Sequence, residues 1–249
     1  MKKLCAVLMV FVLAFSFVSC GSSQYDDAEK TFSNLKTAYD QVNDLSEDVM
    51  IAWEIGINNI DSLKGKTSKY SYYSYSSSSY TYDYVTGLKY FAEQIGVTND
   101  EIYKGVAYST YGEKYADYVN VNSVSEIAEL YEDIFSKYSN NFSACIDIVI
   151  STYEANGKLA PIDASVIVCR TEMKELVEDY PDCVYLSDLK DYYVNMMAFY
   201  DYCKNPTGTY ETALETVNAY RVNERTAYFS LQCFLYDETE DSITSTENA

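Results

Sequence analysis

The sequence contains no histidine, and this absence excludes several classes of enzyme and metal site at once. Ser-His-Asp and Cys-His catalysis, zinc sites with histidine ligands and haem held by a proximal histidine all require that residue. Glycine and proline are also scarce, with 9 and 3 residues among 249, which excludes a collagen-like or wholly disordered chain. Because 48% of the residues are apolar, the composition is that of a globular protein with a real core.

Basic residues are few in relation to acidic ones, 18 against 38, and the formal net charge is −20. Nucleic-acid phosphates and anionic lipid head groups repel a chain of this charge, so we expect no nucleic-acid partner. The sequence has no glycine-rich phosphate loop, nucleophile elbow or CxxC motif. We therefore expect no catalytic residues, no cofactor and no metal ligands. The alternative is a hydrolase that works without histidine, through carboxylates or cysteine.

The first twenty residues have the anatomy of a secretory leader. A short basic start precedes the apolar run 4–18, which as a helix spans about 22 Å, less than the ~30 Å hydrocarbon core of a bilayer. The run ends in FVSCGSS, whose cysteine is Cys20. This segment resembles the lipobox of bacterial lipoproteins. The resemblance covers residues 1–23 and implies that a signal peptide, 1–19, is removed and that Cys20 is acylated.

Acylation of Cys20 implies a location on the outer face of the bacterial cytoplasmic membrane. Two acyl chains on one residue hold a protein there essentially permanently, so no spanning helix is needed. Residues 20–24 would then be the lipidated cysteine and a short flexible tether. An ordinary leader on a freely secreted protein is one alternative, and a chance membrane-like start on a cytosolic protein is another.

Apolar residues recur at alternating steps of three and four along two long segments, which is the spacing of a coiled-coil seam. The first segment runs from Ala28 to a break at Gly65 and predicts a helix of about 57 Å. The second opens with a capping box at Ser123 and closes near Gly157. The seams are Phe32, Leu35, Tyr39, Val42, Ser46, Val49, Trp53, Gly56, Ile60 and Leu63, and then Val124, Ala128, Tyr131, Phe135, Tyr138, Phe142, Cys145, Val149 and Thr152.

Shorter helices are predicted in the rest of the chain. A capping box at Thr98 begins one helix, in which we expect interruptions at Gly105 and Gly112. Pro181 ends another, because its ring disfavours helix in the preceding residue. The other predicted helices are 84–96, 163–180, 187–204 and 209–236. Their apolar positions are Val166, Cys169, Met173, Leu176 and Val177, then Leu189, Tyr193, Met196, Tyr200 and Cys203, then Leu214, Val217, Tyr220, Ala227, Leu231 and Phe234.

The predicted fold class is all-α. We expect an elongated bundle of about five to seven helices in one domain, 25–237, with long antiparallel helices that pack through coiled-coil-like seams. Residues 67–84 are rich in Tyr and Ser and lack a helical pattern, which predicts a disordered loop or, alternatively, a contact surface. The last residues, 238–249, are predicted to be a disordered acidic tail rather than a calcium site.

Five cysteines follow Cys20, an odd number that cannot pair completely. Cys183 follows the break at Pro181, so we predict an exposed, reactive thiol there. The other four lie on or beside the apolar seams, where free cysteine packs as a small apolar side chain. They are Cys145, Cys169, Cys203 and Cys233.

Arginine occurs three times, and two of the three, Arg221 and Arg225, lie one helical turn apart. Side chains at this spacing lie on one side of a helix, where two guanidinium groups form a fork for a carboxylate or a phosphate. The alternative is an interhelical ion pair that sets the helix register, with Glu224 on or beside the seam.

These observations favour a non-catalytic surface lipoprotein whose partners are the membrane, through its anchor, and an extracellular protein or a cell-wall ligand. A protective or accessory lipoprotein, of the phage-exclusion or immunity type, is the second hypothesis, and the histidine-independent hydrolase is the third. A deep cleft with convergent acids would favour the enzyme, an exposed aromatic groove a binding role, and a featureless acidic rod the protective role. The lipobox resemblance does not extend to the domain after Cys20.

Overall fold

The computed structural model describes residues 24–58, 88–112, 137 and 141–246. Regular structure within these ranges is helical and none of it is strand, which confirms the predicted all-α bundle. A short helical segment, 88–94, precedes the helix that begins at Asn99. The helices are α1 (Gln24–Asn58), α2 (Asn99–Tyr111), α3 (Asn141–Ala155), α4 (Leu159–Asp179), α5 (Leu186–Lys204) and α6 (Tyr210–Thr246).

Several predictions concern parts of the chain outside these ranges. They include the leader with Cys20, the Tyr/Ser-rich tract 67–84, the break at Gly65 and the capping box at Ser123. These stay predictions.

α1 is the central helix, and it packs against α3, α4, α5 and α6. The predicted seam is buried from Phe32 to Trp53, but the buried surface is wider than that seam. Ala38, Leu45 and Ala52 lie on an adjacent line of the helix and have no exposed surface. Because α1 packs against four of the described helices, it needs apolar residues on more than one line, so a single narrow seam does not describe its buried surface.

α1 and α6 are antiparallel. Phe32 of α1 contacts Tyr228 of α6, with 5.5 Å between the ring centroids. Asn43 lies further along α1, and its partner Arg221 lies earlier along α6. The contacts therefore run in opposite directions along the two helices.

Two glycines let helices approach closely. Gly105 lies inside α2 rather than at a break, so the predicted interruption there is wrong. A Cβ at Gly105 would come within 2.7 Å of the Thr152 Cα on α3, which explains why only glycine fits. Gly56 of α1 faces Phe142, whose backbone nitrogen would lie 2.9 Å from an added Cβ. Gly112, the second predicted interruption, has a φ of 77° and follows the last residue of α2.

The predicted start of α2 is confirmed by a complete capping box. The Glu101 N–H donates to the Thr98 Oγ1 at 3.3 Å, and the Thr98 N–H donates to the Glu101 Oε2 at 2.8 Å. The Thr98 N–H and the Thr98 hydroxyl both donate to the Glu101 carboxylate, and these two hydrogen bonds lower the pKa of Glu101. The capping box thus satisfies two backbone N–H donors at this helix end.

α6 differs most from its prediction. Leu214, expected to face the core, is 41% exposed, and its neighbour Ala213 is buried instead. The inner line of α6 continues through the buried Val217, so it begins one residue earlier than predicted. The helix also runs to Thr246, past the predicted end at 236 and into the segment predicted as a tail.

Candidate functional site

The five thiols of the described residues are free, and four of them are buried. Cys183 is 6% exposed, so the prediction of an exposed, reactive thiol there is wrong. The Cys183 N–H donates to the Tyr180 carbonyl at 3.0 Å, and the Cys183 carbonyl accepts from the Leu186 N–H at 3.0 Å. This tight turn between α4 and α5 places the thiol in the hydrophobic core.

Burial also makes the other core thiols unreactive. It raises the pKa of Cys145 and that of Cys169 to about 12, so almost no thiolate forms at neutral pH. Cys233 is the exception, because it is exposed on α6, and the prediction that it packs in the core is wrong. The inner line of α6 passes through the buried Leu231 instead.

Arg221 reaches from α6 to α1. Its Nε donates to the Asn43 Oδ1 at 2.7 Å, and one terminal nitrogen donates to the Ser46 Oγ at 3.2 Å. The same nitrogen is 3.5 Å from a carboxylate oxygen of Glu47. Arg221 therefore links two helices, which is the second of the two arrangements that its place in the sequence allows.

Arg225 does not join Arg221 in a fork. Its guanidinium carbon lies 5.5 Å from the centroid of the Phe229 ring, one turn further along α6. This is a cation–π contact, and both side chains are exposed. The two arginines separate because Arg221 is held by its partners on α1, while Arg225 stays on the outer side of α6.

The contacts of Arg221 belong to a band of polar side chains among α1, α5 and α6. Within this band, the Tyr192 hydroxyl of α5 donates to the Glu224 Oε1 of α6 at 2.8 Å. Tyr192 has no exposed surface, and Ser46, a polar residue in the α1 seam, is 1% exposed. We name Asn43, Ser46, Tyr192, Arg221 and Glu224 the polar layer.

In the polar layer, a neutral hydroxyl group, that of Tyr192, donates to the Glu224 carboxylate. Burial raises the pKa of Glu224, and the hydrogen bond from Tyr192 opposes that rise. Tyr39 lies nearby with a buried hydroxyl that has no hydrogen-bond partner. Burial and then the charge of Glu224 raise the pKa of Tyr39. The groups of the layer satisfy one another across helices, which indicates that they fix the helix register.

Glu172 of α4 is a buried carboxylate that the sequence reasoning missed. It is 8% exposed and accepts two hydrogen bonds from the Asn34 Nδ2, at 2.9 and 2.8 Å. The Lys30 ammonium group lies 3.1 Å away. Glu172 comes directly before Met173 of the predicted apolar line, and this position was the available sequence signal that Glu172 is buried.

Tyrosine hydroxyls link helices at further points. The Tyr200 hydroxyl of α5 donates to the Asp163 Oδ1 of α4 at 2.5 Å, and the Tyr153 hydroxyl of α3 donates to Asp48 of α1. Burial raises the pKa of Asp48, and its bond from Tyr153 opposes that rise. With 28 tyrosines and few arginines, the chain uses neutral phenols to hold carboxylates between helices.

The outer side of α6 carries a second line of residues at steps of three and four. Val222 is 63% exposed and Phe229 is 50% exposed. The Thr226 hydroxyl donates to the Val222 carbonyl at 2.8 Å, so it needs no further partner. We name this line the α6 outer seam. It consists of Ala219, Val222, Thr226, Phe229 and Cys233, all of them exposed.

The α6 outer seam lacks carboxylates. Between Thr216 and Cys233, α6 has one acidic residue, Glu224, and its carboxylate belongs to the polar layer. The charged residue beside the seam is Arg225, whose guanidinium group lies over Phe229. A long carboxylate-free line is unexpected in a chain with 38 acidic residues.

Three further observations bear on function. In the described ranges, no group of three or more Cys, Asp or Glu side chains is placed to hold a metal ion. None of the helices described here is both long enough and apolar enough to cross a lipid bilayer. Comparison with protein-family models, with curated proteins and with solved structures gives no match. The functional conclusion therefore rests on the residues and their geometry.

Proposed function

We propose that the chain is a surface lipoprotein, held by an acylated Cys20 on the outer face of the bacterial cytoplasmic membrane, and that its helical bundle is a non-catalytic interaction module. The leader-like start and the lipobox resemblance support the anchor. Acyl chains on Cys20 supply the membrane attachment, so the role needs no spanning helix.

The positions of the reactive side chains support a non-catalytic role. Catalytic groups need free bonding capacity directed at a substrate. In this bundle the core thiols are buried, and Arg221, Glu224 and Tyr192 bond between helices. The hydrogen bonds of Arg221, Glu224 and Tyr192 hold the helices together.

The observation that carries the interaction role is the α6 outer seam. Val222 and Phe229 expose large apolar side chains in line on one helix, and burying them against a partner would remove apolar area from water. The seam also lacks the carboxylates that give the chain its charge of −20. A partner can therefore approach this side without charge repulsion at the contact.

Metabolic labelling with an alkyne fatty acid tests the anchor. We expect label on the native chain and on a Cys5→Ser variant, in which a cysteine of the leader is changed, and no label on Cys20→Ala. The Cys20→Ala variant should also leave the membrane fraction. A native chain that carries no label and fractionates like Cys20→Ala would contradict the anchor.

A photo-crosslinking side chain tests the interaction role in intact cells. Placed at Val222, it should give covalent adducts of higher mass. Placed at Ile167 of α4, which is also 63% exposed, it should give none. Equal adduct yields at the two positions would contradict a specific contact at the α6 outer seam.

A further inference from the structure

We propose that the helical bundle stands end-on on the membrane, with the start of α1 and the C-terminal turns of α6 at the lipid head groups. This orientation rests on the proposed function, because the acylated Cys20 supplies the attachment. It identifies the end of the bundle that faces the lipid, and it leaves the α6 outer seam free for an extracellular partner.

The tether between the anchor and the bundle is short. Three residues, 21–23, separate Cys20 from Gln24, the first residue of α1. Four Cα-to-Cα steps span at most about 14 Å, and a flexible chain of this length typically spans about 11 Å. The start of α1 therefore stays close to the membrane. Because α1 has 35 residues, its other end lies about 52 Å further along the bundle.

The central position of α1 restricts how the bundle can lie on the membrane. α1 packs against α3, α4, α5 and α6. If the bundle lay on one of these neighbours, that helix would separate α1 from the lipid. The tether would then have to pass about 8–10 Å between helix axes, 5–6 Å of helix radius and 5–8 Å of head groups. The total is about 18 Å or more, which exceeds the reach of about 14 Å.

The exposed line of α1 itself is acidic. From the middle of the helix onward, this line carries Asp40, Asp44, Glu47 and Glu54. A bundle lying on this side would press four carboxylates against the membrane, where anionic head groups repel them. The tether therefore disfavours the sides covered by other helices, and charge disfavours the side of α1. The end-on orientation remains.

Two ring contacts identify the other elements at the membrane end. Tyr25 and Tyr185 have ring centroids 6.4 Å apart, which places the turn between α4 and α5 beside the start of α1. Phe32 contacts Tyr228 of α6. From Tyr228, α6 continues for about 27 Å to Thr246, whereas α1 begins only about 12 Å before Phe32. α6 therefore passes the start of α1 by about 15 Å, close to the full length of the tether, and reaches the head groups.

The sequence of the α6 end indicates which lipids fit there. Residues 237–241 read DETED and include four acidic residues. Charged groups are excluded from hydrocarbon, so this end of α6 stops at the head groups. Zwitterionic head groups, which carry an ammonium group, suit four carboxylates better than anionic head groups do.

Energy transfer to the membrane surface tests the orientation. The acylated full-length chain is placed in phosphatidylcholine vesicles that contain a lipid with a short-range acceptor on its head group. One donor is attached to Cys233, five residues beyond Tyr228 and thus near the level of Gln24. The other is attached to Glu54→Cys in the Cys233→Ser background, about 45 Å along α1 from Gln24. We expect transfer from Cys233 and loss of transfer at Glu54→Cys. Equal transfer would overturn the proposal.

A longer tether tests why the bundle stands end-on. Six Gly and Ser residues inserted after Ser23 raise the full reach from about 14 Å to about 35 Å, so the sides of the bundle can then meet the lipid. The difference in transfer between the two labels should shrink. The same six residues added after Ala249 are the matched control and should leave the difference unchanged. An unchanged difference with the longer tether would overturn the argument from tether length.

Vesicles of phosphatidylglycerol test the lipid class. Transfer from Cys233 should be lower in these vesicles than in phosphatidylcholine, because anionic head groups repel the end of α6. Changing the four acids of 237–241 to their amides should abolish this dependence on the lipid. Glu211→Gln with Glu215→Gln, at the other end of α6, should leave it unchanged. Equal transfer from the native chain in both kinds of vesicle would overturn the assignment of zwitterionic head groups.

The outcomes separate the orientation from the proposed function. A native chain that carries no fatty acid and does not join the vesicles overturns the anchor, and the orientation falls with it. An acylated chain that joins the vesicles but shows equal transfer from both labels overturns the orientation and leaves the anchor in place. Stronger transfer from Glu54→Cys than from Cys233 also overturns the orientation alone.

Discussion

Replacing Tyr192 by Phe removes one buried hydroxyl and keeps the ring in place. The ring packs against Phe32 and Tyr39, at centroid distances of 5.9 and 6.0 Å, and these contacts survive the change. Glu224 loses the donor that lies 2.8 Å from its Oε1. A hydrogen bond to a charged group contributes about 1.5–3 kcal/mol. Because Glu224 is only half-buried and water can replace part of this bond, we expect the free energy of unfolding to fall by about 1–2 kcal/mol.

The assay is urea unfolding followed by the fluorescence of Trp53. This residue is the single tryptophan, it is fully buried, and it stacks on Phe142 with 4.9 Å between ring centroids. In a protein of this size, a loss of 1–2 kcal/mol corresponds to a melting temperature lower by roughly 2–8 °C. Tyr193→Phe, at the next position of α5, is the matched control, and its effect should stay within about 0.5 kcal/mol.

A double-mutant cycle isolates the hydrogen bond itself. Glu224→Gln keeps a carbonyl oxygen as acceptor but removes the charge, so Tyr192→Phe should cost less in that background than in the native one. We expect a coupling free energy of about 1 kcal/mol between the two positions. A coupling within about 0.3 kcal/mol of zero would refute the assignment of this bond as a stabilising contact of the polar layer.

Three further predictions follow from charge, packing and exposure. Burial raises the pKa of Asp48 and of Glu224, so the folded chain binds more protons than the unfolded chain. The free energy of unfolding should therefore rise as the pH falls from neutral to about 5. Glu101, with its lowered pKa, acts in the opposite direction. A melting temperature that falls over this range at fixed ionic strength would argue against the raised pKa values. Gly105→Ala should lower the free energy of unfolding by about 1–3 kcal/mol in urea titrations despite the better helix propensity of Ala, whereas a gain in stability would disprove the close contact at this position. Among the described cysteines, maleimide should label Cys233 first in the native state, and rapid labelling of one of the four buried cysteines, located by peptide mapping, would contradict their burial.

A local signal in the sequence predicted the start of α2. The capping box at Thr98 depends on neighbouring residues alone, and it is confirmed. The width of the buried surface of α1 was not predictable in the same way. Ala38 and Ala52 are small residues beside the seam, and they become core only because several helices surround α1.

The contents of the candidate site were harder to predict, because they depend on long-range pairing. The partner of Arg221 lies on α1, far away in the sequence, and no periodicity in α6 names it. Cys183 follows a proline break, which usually indicates exposure, but its turn folds inward. The spacing of the α6 outer seam, in steps of three and four, can be read from the sequence. A helix with two such lines does not reveal by its spacing which line faces the core.

The central place of α1 has a consequence for biosynthesis. Of the described helices, α1 is made first, and near Phe32 it is covered by the two helices made last, since Phe32 packs against Tyr192 and Tyr228. A chain that still lacks α5 and α6 can pair α1 with α3 and α4, but it leaves Phe32 uncovered by these two rings. This part of the core therefore forms only after the C-terminal helices have been made.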